Sequence, residues 1–251
     1  MSTLTAQEEK LTVKTLKTSP KPRSQKGFEE IIYPDSDGKP MADNTKQFNW
    51  IVKIKENLER IFSNNPNVFI AGDLLWYPVE GDNKTRVVFD VLAAFGRPKG
   101  DRGSYRTWEE GNIVPQVVFE ILSPGNTPAE MKKKFQFYER YGVEEYYLYD
   151  PDNITLEGWI RSGDRLRPIE DMSGWISPTL RIRFELQEDD LYIFGPDGQK
   201  FLSPVELDRK YQAELQLERQ KTEAERQHAE VERQRAEKLA AKLRELGIEF
   251  E

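Results

Sequence analysis

Two carboxylates stand inside runs of apolar residues. Asp90 interrupts Val87-Val88-Phe89-Asp90-Val91-Leu92-Ala93-Ala94-Phe95, and Glu120 interrupts Val117-Val118-Phe119-Glu120-Ile121-Leu122. Each run is short, rich in β-branched and aromatic residues and bounded by turn formers, so each reads as a buried strand. Burying an ionised carboxylate costs several kcal/mol, on the order of the effective penalty for any ion in an interior, unless a cation or hydrogen bonds compensate. Two such residues on neighbouring strands make an acidic pocket suited to a divalent metal.

Composition narrows the chemistry. The 251 residues include no cysteine and a single histidine, His228. Thiol nucleophiles, disulfides, cysteine-ligated zinc, serine–histidine triads and multi-histidine metal sites are excluded. A metal site must therefore use oxygen ligands, which points to magnesium, manganese or calcium. The net charge of -7 argues against indiscriminate nucleic-acid binding. No apolar stretch approaches a membrane span and no signal core opens the chain, so a cytoplasmic protein without membrane contact is expected.

A third chemical group comes from the segment after Glu120. Thr127, Pro128 and Glu130 form a helix start with a capping box, and Gly142 forms its stop. Met131, Phe135 and Tyr138 define the apolar stripe of this helix. At ~100° per residue, Lys134 lies about 60° from Met131, Lys132 about 100° and Lys133 about 200° away, facing solvent. Only Lys134 leans easily toward the sheet. Asp90 and Glu120 could hold Mg2+ (or Mn2+), with Lys134 orienting or deprotonating the attacking water and stabilising developing charge. Alternatively, Lys134 simply neutralises Glu120.

Weaker candidates surround this trio. Asp73, after Gly72, could add a metal ligand or serve a turn. Glu56 and Glu59 could aid the metal or belong to a solvated helix face. Arg97, Lys99, Arg102 and Arg106, with Tyr105 and Trp108 interleaved, have the make-up of a phosphate-gripping, base-stacking surface, or of an ordinary exposed loop.

The elements that must position these residues follow from periodicity. Residues 1–43 read as a flexible, Lys-rich N-terminal arm. A helix starts near Asn44, carries Phe48, Ile51, Ile54, Leu58, Ile61 and Phe62, and stops at Asn64-Asn65-Pro66. Strands are expected at Val68–Ile70, Leu74–Tyr77, around Asp90, around Glu120, at Glu145–Tyr149, and then at Leu156–Arg161, Leu180–Leu186 and Leu191–Phe194 with hairpin turns. Residues 204–251 form a helical coiled-coil tail. Leu217, Ala224 and Val231 lie seven apart, and Leu239, Leu243 and Leu246 continue a narrow stripe. A homodimer is expected from this tail, with His228 solvated on it.

Long ordered motifs add a resemblance. Phe119-Glu120-Ile121-Leu122-Ser123-Pro124-Gly125-Asn126, Lys134-Phe135-Gln136-Phe137-Tyr138 and the stretch from Tyr141 to Pro151 resemble the Uma-two family of PD-(D/E)XK restriction endonuclease-like proteins. So do Ile70 to Pro78 and Phe95 to Gly100. The resemblance covers residues 44–203; members are abundant in cyanobacteria and commonly carry a coiled-coil tail. It implies an α/β fold, a mixed four-stranded sheet flanked by helices with appended β-strands, and metal-dependent phosphodiester chemistry on DNA. Asp90 then matches the first acid and Glu120 the second. Phe89 stands where the pattern has proline, and Leu122 where it has lysine. Lys134, on the following helix, is the replacement the resemblance implies. Two functions follow: a magnesium-dependent DNA endonuclease, or a non-catalytic nuclease-fold module that binds nucleic acid or protein and assembles through its coiled coil.

Overall fold

The computed structural model describes residues 31–38 and 42–245; of the expected arm, residues 1–30 and 39–41 lie outside the described residues, as does Leu246 of the tail stripe. Helix α1 (Thr45–Ile61) begins where Asn44 accepts a hydrogen bond from the Gln47 amide at 2.8 Å. Its face of Trp50, Ile51, Ile54 and Leu58 is buried. Strands β1 (Val68–Tyr77), β2 (Val87–Phe95) and β4 (Val117–Ile121) pair antiparallel in the order β1-β2-β4, and β5 (Glu145–Asp150) pairs parallel with β4. A parallel neighbour needs a crossover, supplied by α2 (Pro128–Tyr141).

The four central strands are extended at both edges. The short β3 (Ser104–Arg106) adds parallel to β1, and β6 (Thr155–Ser162) and β7 (Arg165–Pro168) continue beyond β5. The result is a seven-stranded mixed sheet, with a separate hairpin of β8 (Arg183–Leu186) and β9 (Leu191–Phe194). Two expectations change. The segment 68–77 is one strand through Gly72-Asp73 rather than two, because β2 pairs with it on both sides of that dipeptide. Residues 180–182 also fall outside the strand that follows them.

The sheet separates two cores. On one face α1 packs over Val91, Ala93, Val117, Phe119, Ile121, Tyr147 and Tyr149, together with the hairpin's Phe184 and Ile193. On the other, Tyr138 of α2 packs with Trp76, Leu92, Ala94, Val118, Val143 and Tyr146. Strands covered on both faces read as near-continuous apolar runs, which is why the two internal acids stood out in the sequence. Residues 32–38 also lie on this body: Tyr77 Oη donates to the Pro34 carbonyl at 2.7 Å, and the Tyr33 ring meets the Trp108 ring at a tilt, centroids 5.0 Å apart.

Helix α3 (Pro204–Glu245) runs 42 residues with none buried. No helix among the described residues is long and apolar enough to cross a membrane.

Candidate active site

The acids occupy one row of the sheet. The pairs Gly72↔Val91 and Leu74↔Phe89 place Asp73 opposite Asp90, and Val91↔Phe119 is the last rung before Asp90 meets Glu120. Asp73, Asp90 and Glu120 are thus neighbours on three consecutive strands, where both ladders lapse. Asp73 sits at φ 48°, a left-handed conformation that Asp tolerates better than most residues. Asp90 Oδ2 accepts the Ile121 N–H at 2.6 Å, so its carboxylate takes up a backbone donor just past the last rung.

Glu120 is almost fully buried and is held from α2. Lys134 Nζ lies 2.7 Å from Oε2, and the Tyr138 hydroxyl donates to Oε1. Lys134 and Tyr138 are four residues apart, so one helix face presents both donors. Gln47, on the buried face of α1, donates from Nε2 to the Ile121 carbonyl at 2.9 Å and also bonds Asp90. Both helices therefore hold the acids from opposite sides of the sheet.

Burial and the neighbouring Glu120 push Asp90 up to about 8, against the opposing pull of Lys134, Ile121 N–H and Gln47. Burial also raises Glu120, opposed by Lys134 and Tyr138. Burial disfavours the Lys134 ammonium, but Glu120 and Asp90 outweigh it and hold Lys134 above the usual lysine range. The directions for Glu120 and Lys134 pull against each other. The 2.7 Å contact with Lys134 and a second donor on Oε1 favour the ionised form of Glu120, whereas Asp90 is the acid that burial pushes up. Asp73 is raised by burial and by Asp37.

A cleft of about 420 Å³ opens beside this row, lined by Asp37, Asp43, Asp73, Asp90 and Glu130 and by Arg86, Lys133 and Lys134, with Gln47 and Asn126. Asp90 and Lys134 reach it; Glu120 sits behind Lys134. Lys133, expected on the solvent side, lines this cleft as well, because the cleft borders the exposed flank of α2.

Other expected residues are not brought here. Arg97 and Arg102 both bond the buried Glu110, at 2.8 and 2.5 Å, and the Arg102 guanidinium lies 3.8 Å over the Phe69 ring. Lys99 pairs with Glu59 at 2.8 Å and Arg106 with Glu109 at 3.1 Å. Tyr105 is buried and its hydroxyl bonds the Ile113 carbonyl. In this loop each of the four cations has a carboxylate partner within the domain. Glu56 pairs with Lys55 and is not among the residues lining the cleft. Gln47, Arg86 and Tyr138 were the residues sequence reasoning missed. Gln47 had a legible signal: it stands four residues before Ile51 and seven before Ile54, on the apolar stripe of α1.

Oxygen ligands of the kind magnesium takes are present. Magnesium uses one or two carboxylates and keeps waters or substrate oxygens for the rest. Each carboxylate oxygen has two lone pairs, so the bonds from Lys134 and Tyr138 leave Glu120 acceptor capacity. Among the described residues no group of three or more acids is arranged to hold a metal. The residues fit a lightly held magnesium better than a calcium cage.

A mixed sheet between two helices, with buried acids at its broken rungs and a lysine from the crossover helix, defines an α/β protein with an acid–lysine site. Residues 33–194, more than half of the chain, match the family Uma2, described as "Putative restriction endonuclease", and the chain belongs to that family. It is similar to a crystal structure described as that of a putative nuclease of DUF820 from Anabaena variabilis, at 17% identity and a TM-score of 0.41, over 56% of this chain and 74% of that one. No curated protein matches.

Proposed function

We propose that this chain is a magnesium-dependent endonuclease that hydrolyses phosphodiester bonds of DNA. The observation that carries the reading is that Lys134 Nζ touches Glu120 at 2.7 Å while lining the same cleft as Asp90. Asp90 and Glu120 would hold the ion, which when bound supplies Lewis-acid polarisation of a phosphoryl oxygen and a more acidic water. Lys134 faces the reacting phosphate and neutralises charge developing on it. Tyr138 and Gln47 keep the two acids in place. Arg86 and Lys133, at the cleft wall, offer cationic contacts to flanking phosphates. Helix α3 pairs with a second copy.

A second reading is favoured by one observation. Five carboxylates and three cations line the cleft, and both Glu120 oxygens already have donors. That arrangement repels a polyanion unless a metal enters, as in a non-catalytic module built on the same fold. Magnesium-titrated cleavage of plasmid and single-stranded DNA separates the two. Cleavage that requires magnesium or manganese and is lost in Asp90→Asn is expected. No cleavage and no calorimetric metal binding would leave the non-catalytic module.

A further inference from the structure

We infer that two copies of this chain associate through α3 as a parallel, in-register pair, which carries both domains to the same end of the rod. The inference rests on the reading that α3 pairs with a second copy, and adds its direction.

Every described residue of α3 from Asp208 to Leu239 is exposed, including Leu217 at 53% and Val231 at 61%. Leu217, Ala224 and Val231 recur every seven residues and set the seam. The second seam position then falls on Gln220, Gln227 and Gln234. In a parallel pair each seam residue meets its own copy, so the apolar layers and the glutamine layers stay separate and the amides bond one another. In an antiparallel pair each glutamine would face Leu217, Ala224 or Val231 of the other helix, leaving a polar amide against an apolar side chain.

The flanking charges select the same direction. Parallel pairing sets each residue just before the apolar seam position against the one five places on in the other helix. Those pairs are Glu223 with His228, Glu230 with Arg235 and Glu237 with Lys242; upstream, Arg209 meets Glu214 with the signs reversed. Antiparallel pairing would set Glu223, Glu230 and Glu237 against one another, and Lys221, Arg235 and Lys242 likewise. Within one chain Glu230 meets Arg233 at 3.0 Å, but both are well exposed and this weak pair does not compete. Direction matters to the clefts. At a rise of ~1.5 Å per residue the 42-residue helix is roughly 63 Å long, so antiparallel pairing would put the two domains at opposite ends.

The absence of cysteine makes the test clean. Ala224→Cys and Gln234→Cys are made singly in the full chain and oxidised. Each is expected to form a covalent dimer with itself, because identical seam residues meet only in a parallel, in-register pair. Dimers by light scattering with neither variant, or only one, cross-linking to itself would overturn the direction and leave the pairing standing. A monomer at every concentration would overturn both. As a second measure, Glu230→Lys with Glu237→Lys should weaken self-association about tenfold, and mixing with Arg235→Glu, Lys242→Glu chains should restore it. Unchanged self-association would remove the charge argument.

Discussion

Asp90 and Glu145 show that a buried carboxylate is not a site by itself. Glu145 is as hidden as Glu120, yet it accepts from the Tyr147 hydroxyl at 2.7 Å, Ser177 Oγ at 2.5 Å and the Thr179 N–H at 2.8 Å, and lines no cleft with Asp90. It ties β5 to the 177–180 turn. Asp90 has no cation in direct contact among the described residues, and its acidity is displaced from 3.8 to about 8. Because its folded value lies above the unfolded one, its contribution to stability is complete below about 4 and is lost as pH rises through about 8. Metal-free protein should therefore lose several kcal/mol between those limits, at roughly 1.4 kcal/mol for each tenfold change in acidity. Denaturant midpoints from pH 5 to 9 should fall for the native sequence and stay flatter for Asp90→Asn; equal slopes would show that Asp90 ionises normally. Magnesium binding should strengthen over the same range and release a proton, measurable by calorimetry in buffers of different ionisation heat.

Lys134 invites a double-mutant cycle. Lys134→Ala leaves Glu120 buried without its cation, at a cost of about 3–5 kcal/mol typical of breaking a buried pair. Lys134→Ala with Glu120→Gln should be less destabilised than the sum of the singles, with a coupling of about 1–3 kcal/mol. Additive losses would mean the contact contributes little. In cleavage assays Lys132→Ala is the control, because Lys132 lies outside the Asp90 cleft whereas Lys133 lines it.

At the scale of elements, the 96–112 loop owes its shape to Glu110. Burial opposes the Glu110 carboxylate, but Arg102 and Arg97 outweigh it and hold its pKa below the ordinary carboxylate range. Glu110→Ala removes the shared partner of two guanidinium groups, Arg97 and Arg102, whose side chains are largely covered. It should cost about 2–4 kcal/mol, on the scale of a broken buried ion pair, and speed amide exchange across β3. Exchange confined to wild-type rates would show that β3 is held by its pairing with β1 alone. The start of α2 depends on its cap: Thr127 Oγ1 accepts the Glu130 N–H at 3.2 Å, and Thr127→Ala should lower stability by about 1 kcal/mol. Because α2 carries both Lys134 and Tyr138, a frayed start also loosens the grip on Glu120.

For the whole molecule, the two cores close without α3. Phe201 is buried, and Asn57 bonds the Leu202 carbonyl at 2.7 Å, whereas no residue of α3 is buried. Truncation after Lys210 should leave a cooperatively folding domain and reduce the particle mass to one chain by light scattering. An unchanged number of subunits would move the association to the domain itself. Raising salt should weaken pairing through α3, since its flanking charges are solvent-exposed and screened within about 8–10 Å.

Periodicity and polarity placed most elements and the two acids, because strands covered on both faces tolerate no polar residue without a reason and Asp90 and Glu120 broke that rule in view. The helix start at Thr127-Pro128, its stop at Gly142 and the border position of Lys134 are likewise local facts, written within one or two helical turns. What the fold decided lies between residues far apart in the chain. Gln47 reaches Ile121 across 74 positions and Lys99 reaches Glu59 across 40, and no local pattern announces either pairing. The same holds for the fate of charge: Arg97, Arg102 and Arg106 look free in the sequence and are neutralised only once the loop folds, whereas Arg86 and Lys133 look incidental and line the cleft. Sequence dictates which side chains are too polar for their neighbourhood; only tertiary structure dictates which partner resolves each one, because that partner is chosen by geometry across the sheet rather than by position along the chain.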